Sequence, residues 1–437
     1  MSSKHEFIKS SRKQWSSEPA FVASMAAAAV GLGNLWRFPY IVGQNGGGAF
    51  LIAYLLALVV VVLPIMMLEV AAGRLAHANT VETYRRVNRF GAWYGWFVVL
   101  LTTAITSYYL VITGWTLGYA VDAVRGDLKV FEAFTGGYNS LWYFIAVTGL
   151  AAWVLLRDVT AIETLSKLLM PVLLAIVLIL VFAASRTTGW EATKAFFFQA
   201  DLSRLKDTRL WAFAFGQAFY TLAIGQGYLV TYGSFIPRKT HVPRACLIVA
   251  GTETTMALLA GWMIFPFVFS LGLQPDEGSQ LAFVTMPRVF NTLAGGAWLA
   301  IPFFALFFLA AFSSSIAGLK VLVAAVAEEF RLPNSAAVSI VAVVMLVLGT
   351  ASALSFTPLH WQIAGEPVLD MVDRVVGGNL VLISGVTGAA LFCWFVPPLQ
   401  VRMALGTTSR WWEWRIYLIG RYLPILLLGW LAFTLYL

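Results

Sequence analysis

Two apolar stretches of the sequence are interrupted by glycines that flank a polar side chain. The first holds the run GLGN at 31–34, and the second holds Thr221 and the run GQG at 225–227. Such interruptions favour local unwinding of a helix, which frees backbone carbonyls to bind a cation and N–H groups to bind a carboxylate. The half-helix N-termini add positive dipole ends. These residues therefore predict a binding site for a cation and an anionic group.

Residue patterns for enzymatic or nucleotide-driven chemistry are missing from the sequence. Cys246 and Cys393 form no CxxC motif, and the four histidines are dispersed without an HExxH pattern. The GLG run follows no predicted strand, which argues against a dinucleotide site, and no Walker lysine motif is present. We therefore expect no enzyme and no ATP-driven pump, and we expect both cysteines to be free and buried.

The composition requires the predicted site to lie in a membrane protein. Of 437 residues, 60% are hydrophobic and 11% are charged, with a mean hydropathy of +0.80; a soluble chain has about 25% charged residues. Soluble enzymes, disordered chains and disulfide scaffolds are excluded. An outer-membrane barrel is disfavoured because the apolar runs are continuous instead of alternating. The net charge of +8 is expected from basic loops, not from nucleic-acid binding.

The apolar runs predict an all-α polytopic membrane protein with eleven transmembrane helices, since lipid offers no partner for open backbone groups. The predicted spans lie near 19–42, 46–73, 92–124, 141–157, 166–184, 209–232, 244–272, 297–328, 336–356, 372–397 and 416–437. No cleavable signal peptide is visible, so a cytoplasmic segment at 1–18 is expected to precede an uncleaved first span. With this N-terminus inside, inner segments carry roughly twice as many Lys and Arg as outer loops. This orientation in the cytoplasmic membrane places Leu437 outside.

The interrupted spans are the first and the sixth, five spans apart. Glycine-interrupted segments at corresponding positions of two halves are typical of an inverted-repeat transporter. The sequence thus predicts a single transporter domain at 1–437, with a first repeat at 19–184 (helices 1–5), a second at 209–397 (helices 6–10), and helix 11 at 416–437. The alternative, that the glycines only allow close helix packing, is disfavoured by the polar residue inside each break.

The motif around the first break is long and specific. The run AVGLGNLWRFPY at 29–40, followed by NGGGAF at 45–50, resembles the signature of the neurotransmitter:sodium symporter family. Further matches are EVAAGR at 69–74, YY at 108–109, WTLG at 115–118, GQAFYT at 216–221 and SSSIA at 313–317. The resemblance implies the fold of the bacterial leucine transporter, a 5+5 inverted repeat with helices 1 and 6 unwound. The family usually has a twelfth helix, which this sequence lacks, so the oligomeric state stays open.

The resemblance also implies two sodium sites made of oxygen ligands, which suit a hard cation. The first site maps to the carbonyls of Ala29 and Thr221 and to the side chains of Asn34, Thr221 and Glu253. The second site, which carries no charge, maps to the carbonyls of Ala27, Val30 and Ala310 and to the hydroxyls of Ser313 and Ser314.

Glu253 is the main departure from the family pattern, which has Asn or Asp at this position of helix 7. Chloride-dependent relatives lack a carboxylate near the first sodium site and borrow an anion, while other bacterial members place one a helical turn on, here Ala257. We expect Glu253 to supply this charge, so that no chloride is needed, and we expect a partner for it. The alternative is that Glu253 faces a water-filled cytoplasmic path.

Gly31 stands where monoamine carriers of the family have an aspartate for the amine. The resemblance therefore implies an amino-acid substrate, whose carboxylate would meet the first sodium, the N–H groups of Leu32 and Gly33, and the Tyr109 hydroxyl. Its amine would meet carbonyls of the breaks and Ser314. The side-chain pocket maps to Ala28, Ile105, Tyr220, Ala223, Gln226, Ser314 and Gly318. Gly318 leaves room for a hydrophobic or aromatic side chain, and the polar Gln226 would read an indole or phenol.

Two gates follow from the same resemblance. The outer gate would pair Arg37 with Asp373, with Gln217 beside Arg37 and Tyr220 as an aromatic lid. The inner gate would pair Arg12 with Glu328, near Trp15 and Ser234. Phe235 replaces a Tyr that the family often has, so one inner hydrogen bond is expected to be missing. Alternate opening of these gates predicts alternating access.

The sequence thus predicts a sodium-coupled amino-acid symporter in the lipid membrane. A carrier of the same fold driven by protons or by exchange stays open, because Glu253 and Lys320 are titratable. A non-transporting sensor would keep the substrate site and lose a gate pair, and a channel would need a continuous pore. Lys320, Glu69 and Arg421 have no firm role; buried pairing, snorkelling or lining of the inner pathway are the interpretations left open.

Overall fold

The predicted apolar spans fold as helices in the part of the chain that the structure, a computed structural model, describes: residues 14–157, 159–237, 239–275, 281–293, 295–406 and 410–436. Seven helical stretches of these residues are long and apolar enough to cross a membrane, and an eighth is counted when a pair bent by 49° is one span. The predicted all-α membrane fold is confirmed. The total of eleven stays a prediction, because among the remaining segments 139–155 is shorter and 209–232 is divided into two helices.

The regular elements of the described residues are almost entirely helical. The α-helices are α1 (Glu18–Ala29), α2 (Phe38–Gln44), α3 (Gly48–Ala57), α4 (Leu63–Ala76), α5 (Thr80–Val87), α6 (Gly91–Arg125), α7 (Phe131–Thr135), α8 (Asn139–Leu155), α9 (Val159–Ala184), α10 (Trp190–Phe198), α11 (Thr208–Thr221), α12 (Tyr228–Gly233), α13 (Val242–Ser270), α14 (Met286–Thr292), α15 (Gly296–Glu329), α16 (Asn334–Ala353), α17 (Val368–Val372), α18 (Val381–Phe395), α19 (Pro398–Leu405) and α20 (Arg410–Tyr436). π-Helical turns lie at Gly33–Arg37, Leu58–Val62, Leu281–Thr285 and Asp373–Leu380, and a 3-10 turn lies at Leu202–Lys206. An antiparallel hairpin of β1 (Gln362–Ile363) and β2 (Glu366–Pro367) joins α16 to α17.

Local signals explain both the start and the end of α1. The Ser17 hydroxyl accepts a hydrogen bond from the Ala20 N–H at 3.3 Å, and Pro19 lies in the first turn, where no N–H is needed. After Ala29 the backbone becomes extended at Val30, with φ −76° and ψ 105°. The helix therefore stops inside the motif identified from the sequence, and α2 follows at an angle of 49°.

Two long helices form the centre of the bundle. α6 and α15 contain 35 and 34 residues, so each is about 50 Å long and exceeds the hydrocarbon core of about 30 Å. They pack along each other, and α8, α9 and α16 pack around them. α1 contacts α9, α13 and α15, and its break at residues 30–32 is buried among them. The first interruption thus lies inside the bundle.

The outside of the bundle exposes large apolar side chains, among them Trp93, Leu100, Trp298 and Leu426. In water such a surface would be costly, whereas lipid tails solvate it. The interior holds Cys246 and Cys393, which are buried and free as predicted. The repeat boundaries at 19–184 and 209–397 stay predictions.

Candidate functional site

The two interrupted helices meet at one internal cavity. Residues 30–32 separate α1 from the π-helical turn before α2, and residues 222–227 form turns between α11 and α12. Ala223, Gly225 and Gly227 have φ values of 52°, 74° and 73°. This left-handed region is open to glycine and strained for alanine. Both breaks are therefore firmly non-helical, and residues from both line the cavity.

The open space in and around the cavity is about 320 Å³. Its lining consists of Ala28, Ala29, Gly31, Gly33, Ile105, Tyr109, Tyr220, Thr221, Ala223, Gln226, Tyr228 and Ser314. All of these except Tyr228 belong to the substrate site predicted from the sequence; Leu32 and Gly318 were predicted and are not part of the lining. No lining residue has a charged side chain. The charges of a ligand would therefore be met by backbone dipoles, hydroxyls and bound cations.

The space beside Gly318 is occupied by Tyr228, a residue that sequence reasoning missed. A Cβ built on Gly318 would clash with the Tyr228 hydroxyl and lie 2.7 Å from the Thr106 Oγ1. The room expected from Gly318 is therefore taken by a side chain of α12, which itself lines the cavity. Gly318 on α15 and Tyr228 on α12 pack against each other here. This pairing is visible only in the folded chain and not in the sequence.

Tyr109 and Gly31 form the polar end of the cavity, next to the Leu32 N–H. The Leu32 N–H donates to the Tyr109 hydroxyl at 2.8 Å, and the Gly31 N–H donates to the Asn34 Oδ1 at 3.0 Å. A Cβ built on Gly31 would clash with the Tyr109 hydroxyl and lie 2.9 Å from the Ser314 Cβ. Tyr109 and Ser314 therefore pack against the bare glycine, and a side chain at position 31 would displace them.

Glu253, predicted for the first sodium site, is fully buried on α13 and surrounded by hydrogen-bond donors. The Asn34 Nδ2 donates to its Oε1 at 2.6 Å and to its backbone carbonyl at 3.2 Å. The Thr254 hydroxyl donates to Oε2 at 3.2 Å, and the Tyr54 hydroxyl lies 3.5 Å from the same atom. The predicted partner is thus a set of neutral donors. The full burial disfavours the alternative of a water-filled path.

Ser313 brings together oxygens of α1 and α15 that were predicted for the second sodium site. Its hydroxyl lies 3.0 Å from the Ala27 carbonyl and 2.9 Å from the Ala310 carbonyl. A hydroxyl has one proton and donates to one of these carbonyls at a time. The other predicted ligands are adjacent in the chain: Val30 is the extended residue that ends α1, and Ser314 lines the cavity. The oxygens have free lone pairs for a cation.

The break between α11 and α12 is braced by three side chains that sequence reasoning did not assign to it. Glu69 Oε1 accepts a hydrogen bond from the Gly225 N–H at 2.8 Å. The Ser384 hydroxyl donates to the Gly225 carbonyl at 2.6 Å, and the Thr102 hydroxyl donates to the Gln226 carbonyl at 2.6 Å. Glu69 therefore has a structural role: it satisfies a backbone N–H that leaves the helix.

The predicted outer-gate residues are linked through two tyrosines. Arg37 donates to the Gln217 Oε1 at 3.2 Å, and its guanidinium lies 4.5 Å from the centre of the Tyr220 ring. The Tyr108 hydroxyl lies 3.2 Å from the Tyr220 hydroxyl and donates to the Asp373 Oδ1 at 2.6 Å. In place of the direct Arg37–Asp373 pair that was predicted, these described residues form a chain that passes through Tyr220 and Tyr108.

Two of the predicted inner-gate residues, Trp15 and Ser234, lie just before α1 and just after α12. The Trp15 indole donates to the Tyr232 carbonyl at 3.1 Å, and its backbone N–H donates to the Phe235 carbonyl at 2.9 Å. The Trp15 ring also packs against the Tyr232 ring at 5.2 Å. The Ser234 hydroxyl donates to the Thr231 carbonyl at 2.6 Å. Trp15 and Ser234 thus lie together, where the start of α1 meets the end of α12.

Glu328 is held by the loop helix α5. The Asn79 backbone N–H and Nδ2 both donate to the Glu328 Oε2 at 3.0 Å. Its predicted partner Arg12 lies outside the described residues. Lys320, buried eight residues earlier on α15, has its Nζ 5.7 Å from the centre of the Phe235 ring. Lys320 therefore lies beside Phe235, next to the predicted inner-gate residue Ser234, and is not part of the cavity lining.

Comparisons with known proteins agree with this architecture. A family model described as the sodium:neurotransmitter symporter family matches residues 12–140 and 137–428. A sodium-dependent transporter of Methanocaldococcus jannaschii is 30% identical, over 95% of this chain and 89% of the relative. A sodium-dependent transporter of Bacillus subtilis, YhdH, is 31% identical, over 88% of this chain and 87% of the relative.

A solved structure shares the whole fold. The crystal structure of MhsT in complex with L-phenylalanine superposes with a TM-score of 0.87 at 32% identity, and the match covers 94% of this chain and 97% of that one. The family model spans nearly the full sequence, and both breaks and their bracing residues lie within it. The chain therefore belongs to the sodium:neurotransmitter symporter family and is a sodium-dependent membrane transporter.

Proposed function

We propose that this symporter carries an amino acid with a hydrophobic or aromatic side chain. The main support for this proposal is the mixture of polar and apolar groups that line the cavity. The Tyr109 hydroxyl lines the cavity next to the Leu32 N–H, apolar and aromatic side chains such as Ile105 and Tyr220 line it as well, and no lining side chain is charged. An amino acid is a zwitterion and carries both charges itself, so its binding does not require a charged side chain in the lining. Burial of its apolar side chain supplies binding energy. MhsT, with L-phenylalanine bound, supports the same class of ligand.

We propose two sodium ions as the coupling ions. The first would be bound by Asn34, Glu253, and the carbonyls of Ala29 and Thr221, all within or beside the broken helices. The second would be bound by the Ser313 hydroxyl oxygen and by the carbonyls of Ala27 and Ala310, which lie 3.0 Å and 2.9 Å from that oxygen, and it would displace the hydrogen bond that Ser313 donates. Both sets consist of oxygen atoms, as an alkali cation requires.

Transport is proposed to be independent of chloride. A bound anion would need the hydroxyl and amide donors beside the first sodium site. Asn34, Thr254 and Tyr54 already surround the Glu253 carboxylate, with distances of 2.6 to 3.5 Å. The negative charge of Glu253 would therefore compensate the charge of the first sodium ion in place of a bound chloride. A chloride beside Glu253 would be repelled by it.

Alternating access is the proposed mechanism. Tyr108–Asp373 closes one side of the cavity and Trp15–Tyr232 closes the other. Each contact joins elements that must separate for that side to open, so sodium and substrate would act by favouring one closure over the other. The charge distribution of the loops supports a cytoplasmic N-terminus, an external C-terminus and a location in the cytoplasmic membrane.

Ligand-induced thermal stabilisation of the purified protein tests the substrate class, the sodium requirement and the independence of chloride. The twenty amino acids would be screened in sodium chloride, sodium gluconate and potassium chloride. We expect a few hydrophobic or aromatic amino acids to stabilise the protein in both sodium salts and not in potassium; at 100 times Kd the gain is about 2.7 kcal/mol. A response in sodium chloride alone would contradict chloride independence. No sodium-dependent response from folded protein would refute amino-acid symport.

A further inference from the structure

Arginines and aromatic rings alternate along the seam between α18, α19 and α20. The Arg402 guanidinium lies 5.5 Å from the centre of the Trp414 ring, which packs edge-on against Tyr417 at 5.9 Å. Arg421 donates to the Tyr417 hydroxyl at 2.8 Å and lies 4.7 Å over the Trp394 ring. We name this row, from Arg402 through Trp414, Tyr417 and Arg421 to Trp394, the arginine–aromatic seam.

The seam borders the lipid. Leu418, Tyr422, Ile425 and Leu426 are exposed and follow the spacing of one helix face. Arg421 lies next to this face, and its neighbours Trp394 and Tyr422 are each about half exposed, at 47% and 51%. Tryptophan and tyrosine concentrate at the level of lipid headgroups. The Arg421 side chain reaches one turn back, to Tyr417, and so points toward the start of α20.

The segment that contains most of the seam is rich in positive charge. Between residues 398 and 436 the sequence has Arg402, Arg410, Arg415 and Arg421, and its one acidic residue is Glu413. Glu413 is buried in the first turn of α20, where it complements the helix dipole. Among the described residues, the Nε atoms of Arg402 and Arg421 are buried without a hydrogen-bond partner. Aromatic rings stabilise the faces of a guanidinium, and the Nε–H donor at its edge is left unused in both arginines.

We propose that the arginine–aromatic seam binds the phosphate of an anionic phospholipid. Guanidinium groups bind phosphate oxygens in a forked arrangement, and a basic site between helices at a membrane boundary suits an anionic headgroup. The acyl chains would lie along Leu418, Ile425 and Leu426. With the N-terminus cytoplasmic, as proposed above, the lipid belongs to the inner leaflet. The inference concerns the outer surface of the bundle and does not depend on which substrate is carried.

The test uses the full-length protein, purified in detergent and stripped of lipid. Its apparent Tm would be measured in mixed micelles with phosphatidylglycerol or, at equal mole fraction, with zwitterionic phosphatidylcholine, and bound lipid would be counted by native mass spectrometry. We expect phosphatidylglycerol to raise the Tm more. Arg421→Gln should weaken phosphatidylglycerol binding about tenfold, since it removes a charge-assisted hydrogen bond. Arg421→Lys, which keeps the charge and loses the fork, should fall between.

Arg157→Gln is the matched control. Arg157 lies 3.9 Å over the Trp153 ring on α8, so it shares the cation–aromatic pairing but lies outside the seam. The Arg157→Gln substitution should leave the preference for phosphatidylglycerol intact. If Arg421→Gln does not fold, Arg402→Gln replaces it as the test variant and should reduce that preference. Equal stabilisation by both lipids, or equal losses in Arg421→Gln and Arg157→Gln, would overturn the site. So would a lipid-free dimer that Arg421→Gln dissociates, because a second copy would then cover the seam.

Discussion

The side-chain amide of Asn34 donates a hydrogen bond to Glu253 Oε1 at 2.6 Å and so ties the first broken helix to α13. The same Asn34 accepts the Gly31 N–H through its Oδ1 at 3.0 Å. One side chain thus connects the polar end of the cavity to the buried carboxylate. A change in charge at Glu253 is therefore transmitted to the backbone that would bind the substrate.

Glu253→Gln should weaken sodium binding strongly while it preserves shape. The glutamine keeps an oxygen for Asn34 and removes the charge, so we expect the apparent sodium affinity to fall about tenfold or more. Sodium-dependent thermal stabilisation at saturating amino acid measures this. Glu191→Gln, at an exposed surface residue paired with Lys194, is the control. Unchanged sodium affinity in Glu253→Gln would remove Glu253 from the ion site.

Gly31→Ala should weaken substrate binding. Its Cβ would clash with the Tyr109 hydroxyl, so the tyrosine must move away from the Leu32 N–H. We expect a loss of amino-acid affinity of more than about tenfold, the equivalent of one lost hydrogen bond and a displaced ring. Gly149→Ala is the control, since nothing lies within 4 Å of a Cβ there. Wild-type affinity in Gly31→Ala would contradict the assignment of the polar end.

Gly318→Ala should act through Tyr228. The added methyl would push the tyrosine ring toward the cavity, so large amino acids should lose more affinity than small ones. Competition between phenylalanine and alanine for the same site measures the change. The double variant Gly318→Ala with Tyr228→Ala should restore room, which a double-mutant cycle would report as coupling. Additive effects of the two substitutions would show that Gly318 and Tyr228 act separately; Gly216→Ala, with no atom within 4 Å, is the control.

Glu69→Ala should destabilise the protein more than Glu69→Gln does. Alanine leaves the buried Gly225 N–H without its acceptor, at a cost of about 1 to 3 kcal/mol, whereas glutamine retains an oxygen for it. Thermal unfolding of the sodium-bound protein in the same detergent compares the two. Equal Tm values for both variants would mean that the brace adds nothing to stability.

The cluster of Glu82, Arg85 and Arg86 on α5 should make the loop sensitive to acid. Partial burial raises the pKa of Glu82, but hydrogen bonds from Arg86 and Arg85 outweigh it and hold the pKa below its ordinary value. A lowered pKa contributes stability above the unfolded-state value of about 4.3, and that stability is lost as the pH falls through the folded-state value. Wild type should therefore lose more Tm than Glu82→Gln between pH 6 and pH 3. Parallel curves would contradict this.

The positions of the helices and of their breaks follow from local sequence, and the contacts that shape the cavity do not. Continuous apolar runs and glycines beside Asn34 and Thr221 are read from neighbouring residues. Tyr228 and Gly318 lie on different helices, and periodicity along one helix cannot say which side chain fills the space left by another. Glu69 braces Gly225 across 156 residues, so its role depends on where α4 packs.

The hydrogen bond from the Leu32 N–H to the Tyr109 hydroxyl means that this part of the cavity is already satisfied before a ligand arrives. A substrate carboxylate would exchange one acceptor for another, so the heat released by that step should be small. Affinity would then come from desolvation of the substrate side chain and from the cations, with a negative heat-capacity change as its calorimetric sign. Tyr109 thus occupies the Leu32 N–H until the substrate carboxylate accepts from it, and the Tyr109 hydroxyl is then free to donate to the same carboxylate.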